Sequence, residues 1–117
     1  GRLSQFLASY SRTDGDSAMQ LWLDAWADAA RRPALQETSR RLNLAWQRLL
    51  AGIIADGVVE GSMSSRDPGA AAWRLLSLLD GLALQAVAHG DLVTRDQVVT
   101  WSRRAAESEL GLTGALP

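Results

Sequence analysis

The longest apolar segment of the chain lies between Asp67 and Gly90 and reads DPGAAAWRLLSLLDGLALQAVAHG. Its apolar positions repeat with the 3.6-residue period of an α-helix and cover most of the helix circumference. Asp67 and Pro68 suit a helix start, and Gly90 suits a left-handed stop. A helix that is apolar on most sides must be covered on most sides, and a small domain has too few other helices to do this alone. The pattern therefore predicts a helix over 67–90 that packs against a second copy of the chain.

Four further segments show helical periodicity, and no segment alternates convincingly with period two. Pro33 suits the first position of a helix, and the spacing of Thr94 and Gln97 forms a capping box. The predicted bounds are Leu3–Tyr10, Asp16 or Ser17 to Arg32, Ala34–Asp56 and Thr94–Leu110. The sequence therefore predicts an all-α class, with a loop over 57–66.

Length and charge restrict the classes of function. The 117 residues form one domain, 1–117, with a net charge of −1, and all 12 basic residues are Arg. Acidic and basic residues are interspersed, so no basic stripe is available to neutralise phosphates, and the chain alone is not expected to bind DNA or RNA. There is no Cys, no apolar run of the roughly 18 residues that a membrane span needs, and no signal-peptide layout. The expected location is the cytoplasm, with no membrane partner.

The tryptophans are the first candidates for a binding site. Trp22 and Trp26 are one turn apart, so their rings can form one wall, and Trp46 and Ile53 can stand opposite. Aromatic residues at helical spacing more often fill a core, but five Trp against one Phe and one Tyr is unusual for core filling. A ligand pocket and a filled core both remain open.

Asp80 is the second candidate, because a carboxylate inside an apolar helix costs several kcal/mol unless it is paired or protonated. One interpretation is a structural hydrogen bond to a Trp indole, an Arg or a helix N-terminus. The other is an anchor for a polar or basic group of a ligand. His89 is expected to interact with the helix end.

Catalysis has little support in the sequence. There is one His, no Cys, no glycine-rich phosphate loop and no cluster with metal-ligand spacing, and Asp80 and His89 lie on opposite sides of one helix. We therefore expect neither an enzyme nor a cofactor or metal site.

Three segments together resemble the C-terminal ligand-binding and dimerisation domain of TetR-family bacterial transcriptional repressors. They are LWLDAWADAARRPAL at 21–35, AWQRLLAGIIADGVVEG at 45–61 and RLLSLLDGLALQAV at 74–87. The chain departs from the family pattern at Arg32, where an Asp usually precedes the proline, and at Met63, where an aromatic residue is common. Nothing in it resembles the helix-turn-helix that family members carry at the N-terminus, so contact with operator DNA is expected only through that missing domain.

The resemblance implies a five-helix orthogonal bundle that dimerises through a four-helix bundle made by the 67–90 and 94–110 helices of two chains. It also implies a small, mostly apolar effector held between helices. The predicted ligand-binding residues are Trp22, Trp26, Trp46, Leu50, Ile53, Leu76 and Asp80. The predicted dimer-interface residues are Arg74, Ser77, Gly81, Gln85, Ala88, Val98, Trp101, Ser102 and Ala105. The alternative is a homodimerisation module that binds no ligand.

Overall fold

The computed structural model describes residues 2–11, 24, 27, 28 and 32–112, and its regular secondary structure over these residues is entirely helical. It contains α1 (Arg2–Ser11), α2 (Pro33–Glu60), α3 (Pro68–Ala88) and α4 (Arg95–Leu110). Most of the predicted helix over 16–32 lies outside the described residues, although Asp24, Ala27 and Asp28 are helical. The all-α class is confirmed, and the count of five helices stays a prediction.

The helix α2 begins at Pro33 as predicted but continues one turn beyond Asp56. It ends at Gly61, which has a left-handed φ of 82° and donates its N–H to the carbonyls of Gly57 and Val58. Gly57 therefore does not stop the helix. A Cβ at Gly57 would lie 2.5 Å from the Met63 sulfur, so this glycine lets the following loop fold closely over the helix.

The start of α3 agrees with the prediction, whereas its end does not. The Asp67 carboxylate accepts a hydrogen bond from the Ala70 N–H at 3.1 Å. The helix ends at Ala88, and the C-cap residue is His89, whose backbone N–H donates to the Gln85 carbonyl. Gly90 is not left-handed, because the described glycines with positive φ are Gly61 and Gly111.

The helix α4 has the predicted capping box. The Gln97 N–H donates to the Thr94 hydroxyl at 3.2 Å, and the Thr94 N–H donates to the Gln97 side-chain oxygen at 2.9 Å. Gly111, with φ of 63°, ends the helix after Leu110 as predicted. These local contacts fix where α4 begins and ends.

The core lies where α1, α3 and α4 meet the second half of α2. Its largest fully buried apolar side chains come from α2, α3 and α4, and α1 adds three nearly buried ones. The apolar members are Leu3, Phe6, Leu7, Leu50, Ile53, Ile54, Ala71, Ala72, Leu75, Leu76, Leu79, Ala106 and Leu110. Only one side of α3 is buried, and Trp73, Leu78 and Leu84 remain exposed on the other sides. The excess of apolar surface predicted for this helix is therefore present in the single chain.

Polar contacts connect neighbouring helices at their edges. Arg2 pairs with Asp56 between α1 and α2. The Arg74 Nε donates to Glu109 Oε1 at 2.7 Å between α3 and α4. Because Arg74 is near the start of α3 and Glu109 near the end of α4, the two helices run side by side in opposite directions. These pairs are exposed, so they orient the helices more than they stabilise the fold.

One helix among the described residues, α3, is long and apolar enough to cross a membrane by length and composition alone, with a mean hydropathy of 1.2 over its best window. The sequence pattern predicted no such segment. The core helix of a protein that never enters a membrane passes the same test, and six α3 side chains are buried inside this protein.

Candidate functional site

Four of the predicted ligand-binding residues meet in the core. Trp46, Leu50 and Ile53 stand at helical spacing on α2, and Leu76 reaches the same cluster from α3. Leu50, Ile53 and Leu76 have lost almost all of their accessible surface, whereas Trp46 is half-buried. Among these four residues, Trp46 therefore has the accessible surface that a ligand could contact.

The Trp46 ring is held from one side by an aromatic contact. The ring centroids of Phe6 and Trp46 are 5.5 Å apart and the planes meet at 79°, which is an edge-to-face arrangement. The sequence pattern predicted no role for Phe6, because the short α1 helix shows only weak amphipathicity. The contact joins residues 40 positions apart, and no local pattern signals it.

Trp22 and Trp26 lie outside the described residues. The aromatic wall that they were predicted to form with Trp46 stays a prediction. The described half of the site is the α2 and α3 side, made by Trp46, Leu50, Ile53 and Leu76.

Asp80 lies on α3, one turn from Leu76 and from Ala83, and is half-buried. Burial raises the pKa of its carboxyl group from the ordinary value of 3.8 to about 6. The apolar sequence around Asp80 predicted a hydrogen-bonding partner for its carboxylate. Within the described ranges, no side chain pairs with this carboxylate. Asp80 is half-buried and not fully buried, so the free-energy cost of leaving its carboxyl group without a partner is reduced.

Five of the residues assigned to the dimer interface lie on the exposed side of α3. They recur every three or four positions, so they share one side of the helix. We call the following exposed residues the association face: Arg74, Ser77, Leu78, Gly81, Leu84, Gln85 and Ala88 of α3, with Trp101 of α4. A Cβ built at Gly81 meets no atom within 4 Å, so the middle of this face is open.

The α4 part of the predicted interface is mostly turned inwards. Val98 is 5% exposed and Ser102 is 2% exposed, and the Ser102 hydroxyl donates to the Val98 carbonyl. Neither side chain has surface left for a partner, because α4 packs this side on its own core. Ala105 is half-buried, and Trp101 keeps 39% of its surface exposed.

A separate depression of about 400 Å³ lies at the corner between α3 and α4, lined by Ala86, Gly90, Val93, Thr94 and Arg95. It shares no residue with the predicted ligand site. Across the part of the chain that the structure describes, no group of three or more His, Cys, Asp or Glu side chains could hold a metal ion.

The family described as "BetI-type transcriptional repressor, C-terminal" matches residues 1–111. Comparisons with curated proteins and with solved structures found no match. The match covers nearly the whole chain and agrees with the all-helical fold, so this chain belongs to the family of BetI-type repressor C-terminal domains, within the TetR-type regulators.

Proposed function

We propose that this chain is the effector-binding and dimerisation domain of a transcriptional repressor. A small, mostly apolar ligand between its helices would control DNA binding by a separate helix-turn-helix domain, and the regulator would act in the cytoplasm. Family membership supports the regulatory role. The observation that carries the ligand site is Trp46, whose ring packs against the buried core yet keeps accessible surface beside it. A mostly apolar wall with few polar groups is typical of ligand sites.

Asp80 supplies the polar group in this proposal. With a pKa of about 6, its carboxyl group exists in both protonation states near neutral pH. It can therefore accept a hydrogen bond or a positive charge from a polar group of the effector, or donate a hydrogen bond when protonated. Desolvation by a bound ligand would strengthen either interaction.

The second candidate function is dimerisation without a ligand. The near-complete burial of Leu50, Ile53 and Leu76 favours it, because side chains packed this closely leave no space between them. The two functions differ in one measurable property, which is whether a small molecule stabilises the protein through Trp46.

A ligand screen distinguishes them. We expect at least one compound of an uncharged, apolar panel to raise the melting temperature and change the intrinsic Trp fluorescence. Saturation at 100 times Kd corresponds to about 2.7 kcal/mol, or several degrees. Trp46→Ala is expected to abolish both responses, as is Trp26→Ala, whereas Trp73→Ala, at an exposed position of α3, is the matched control and should retain them.

Two results would contradict the ligand hypothesis. If no compound stabilises the protein, the dimerisation-only function is favoured. If a compound binds and Trp46→Ala responds like the wild type, the effector site lies elsewhere in the chain.

The dimerisation half of the proposal rests on the association face, which exposes Leu78 and Leu84 of α3 and Trp101 of α4 and has open space at Gly81. We expect a dimer at micromolar concentration by size-exclusion chromatography with light scattering. Gly81→Leu should weaken association about 5- to 150-fold, because overfilling a close helix contact costs about 1–3 kcal/mol.

Gly52→Leu is the matched control. Gly52 is also an exposed helical glycine with open space at its Cβ, but it lies on α2, outside the association face. Both variants gain the same helix propensity, so this effect cancels in the comparison. A monomeric wild type, or equal effects of the two variants, would remove the association face from the proposal.

A further inference from the structure

Phe6 is the only phenylalanine in the chain, and α1 places it against the candidate effector site. Its side chain is 4% exposed, and Leu3 and Leu7 on either side are equally buried. The first turn of α1 is also tied to α2 by the Arg2–Asp56 pair. These contacts fix Phe6 relative to the helix that carries Trp46.

Trp46 differs from Phe6 in one property that matters for binding, which is accessibility. Phe6 is 4% exposed, so nearly all of its side-chain surface is covered by the protein, whereas Trp46 is half-buried. The edge-to-face contact at 5.5 Å restrains the indole ring from the α1 side. The Phe6 ring therefore limits movement of the indole from the α1 side, while part of Trp46 remains accessible.

We propose that Phe6 is a positioning residue of the effector site, which orients Trp46 before the ligand arrives. This inference rests on the proposed ligand-binding function. Without the Phe6 ring, the indole would sample more orientations and would have to be ordered on binding. Ordering one large side chain weakens binding about two- to tenfold, which is the effect that the Phe6 contact prevents.

The test uses a variant in which Trp46 is the only tryptophan, made by replacing Trp22, Trp26, Trp73 and Trp101 with Phe. In this background, fluorescence anisotropy reports the mobility of the Trp46 ring. Nile red, an uncharged apolar dye, is the probe, and the change in its own fluorescence gives its Kd in the wild-type background, which keeps Trp22 and Trp26 of the predicted site. Phe6→Leu removes the ring at a similar volume, and Leu7→Met is the matched control at an equally buried α1 position.

For Phe6→Leu we expect lower Trp46 anisotropy and a Kd for Nile red raised about two- to tenfold. Leu7→Met should change neither, even if both variants lose similar thermal stability, because loss of packing alone does not free the indole. Unchanged anisotropy and Kd in Phe6→Leu, or equal changes in Leu7→Met, would overturn the role of Phe6.

Failure of the proposed function gives a different result. If the wild type binds neither Nile red nor any compound of the apolar panel, the ligand site itself is disproved and the Phe6 inference falls with it. If the dye binds but Phe6→Leu has no effect, only the Phe6 inference fails. If the four replacements unfold the protein, the Kd values of Nile red for Phe6→Leu and Leu7→Met in the wild-type background decide whether Phe6 affects ligand binding.

Discussion

Leu50→Ala is expected to lower the free energy of unfolding by about 3 kcal/mol, within the range of about 2–5 kcal/mol for buried leucines. Leu50 has no accessible surface and lies at the centre of the core beside Ile53 and Leu76. Removing three carbon atoms there loses their transfer free energy and leaves a cavity that rigid helices cannot fill by collapsing. Urea unfolding followed by circular dichroism measures the change.

The neighbouring residue provides the control. Leu49 is 53% exposed on the same helix turn, so Leu49→Ala should cost less than about 1 kcal/mol. Both variants need the same protomer concentration, since association with a second copy would add to the measured stability. Similar losses for Leu49→Ala and Leu50→Ala would show that α2 does not face the core as described.

Stability is expected to fall as the pH rises from about 4 to about 7, and Asp80 is the cause. Burial raises the pKa of Asp80 in the folded protein to about 6, above its ordinary value of 3.8. The folded state therefore binds a proton more tightly than the unfolded state, so this stabilisation is complete below pH 3.8 and is lost as the pH passes 6. The full pKa difference corresponds to about 3 kcal/mol, and contact with water reduces the expected loss to about 1–2 kcal/mol.

Asp80→Asn removes this titration. We expect it to be more stable than the wild type by about 1–2 kcal/mol at pH 8 and nearly equal to it at pH 4. Asp91→Asn, at an exposed position after α3, is the control and should keep the wild-type pH profile. Parallel profiles of the wild type and Asp80→Asn in urea unfolding would contradict the assignment.

The helix ends show how far local sequence determines structure. Asp67 with Pro68, and Thr94 with Gln97, start their helices as predicted, because each cap bonds to amides within three residues. The helix that begins at Pro33 was expected to end at Asp56, and Gly90 was expected to be a left-handed stop, but α2 continues through Gly57 and Gly90 has no positive φ. A glycine permits a stop without requiring one, so its role depends on what packs against it, as Met63 does at Gly57.

The candidate site also has features that the sequence predicts and features that it does not. Helical periodicity predicted that Trp46, Leu50 and Ile53 share a face, and the structure brings Leu76 to them. Periodicity could not reveal the Phe6–Trp46 contact or show that Ser102 faces inwards. Those properties depend on which helix lies beside which, and this information is not contained in any single helix.

The sequence by itself determined the helical class, most helix starts, the family and the excess of apolar surface on α3. These properties depend on composition, on periodicity and on contacts within one turn, all of which are local. Only the tertiary structure decided which part of that surface is exposed, that Asp80 is half-buried with no partner among the described side chains, and that Phe6 restrains Trp46. Burial and contact are properties of packed helices, and packing joins residues that are far apart in the chain.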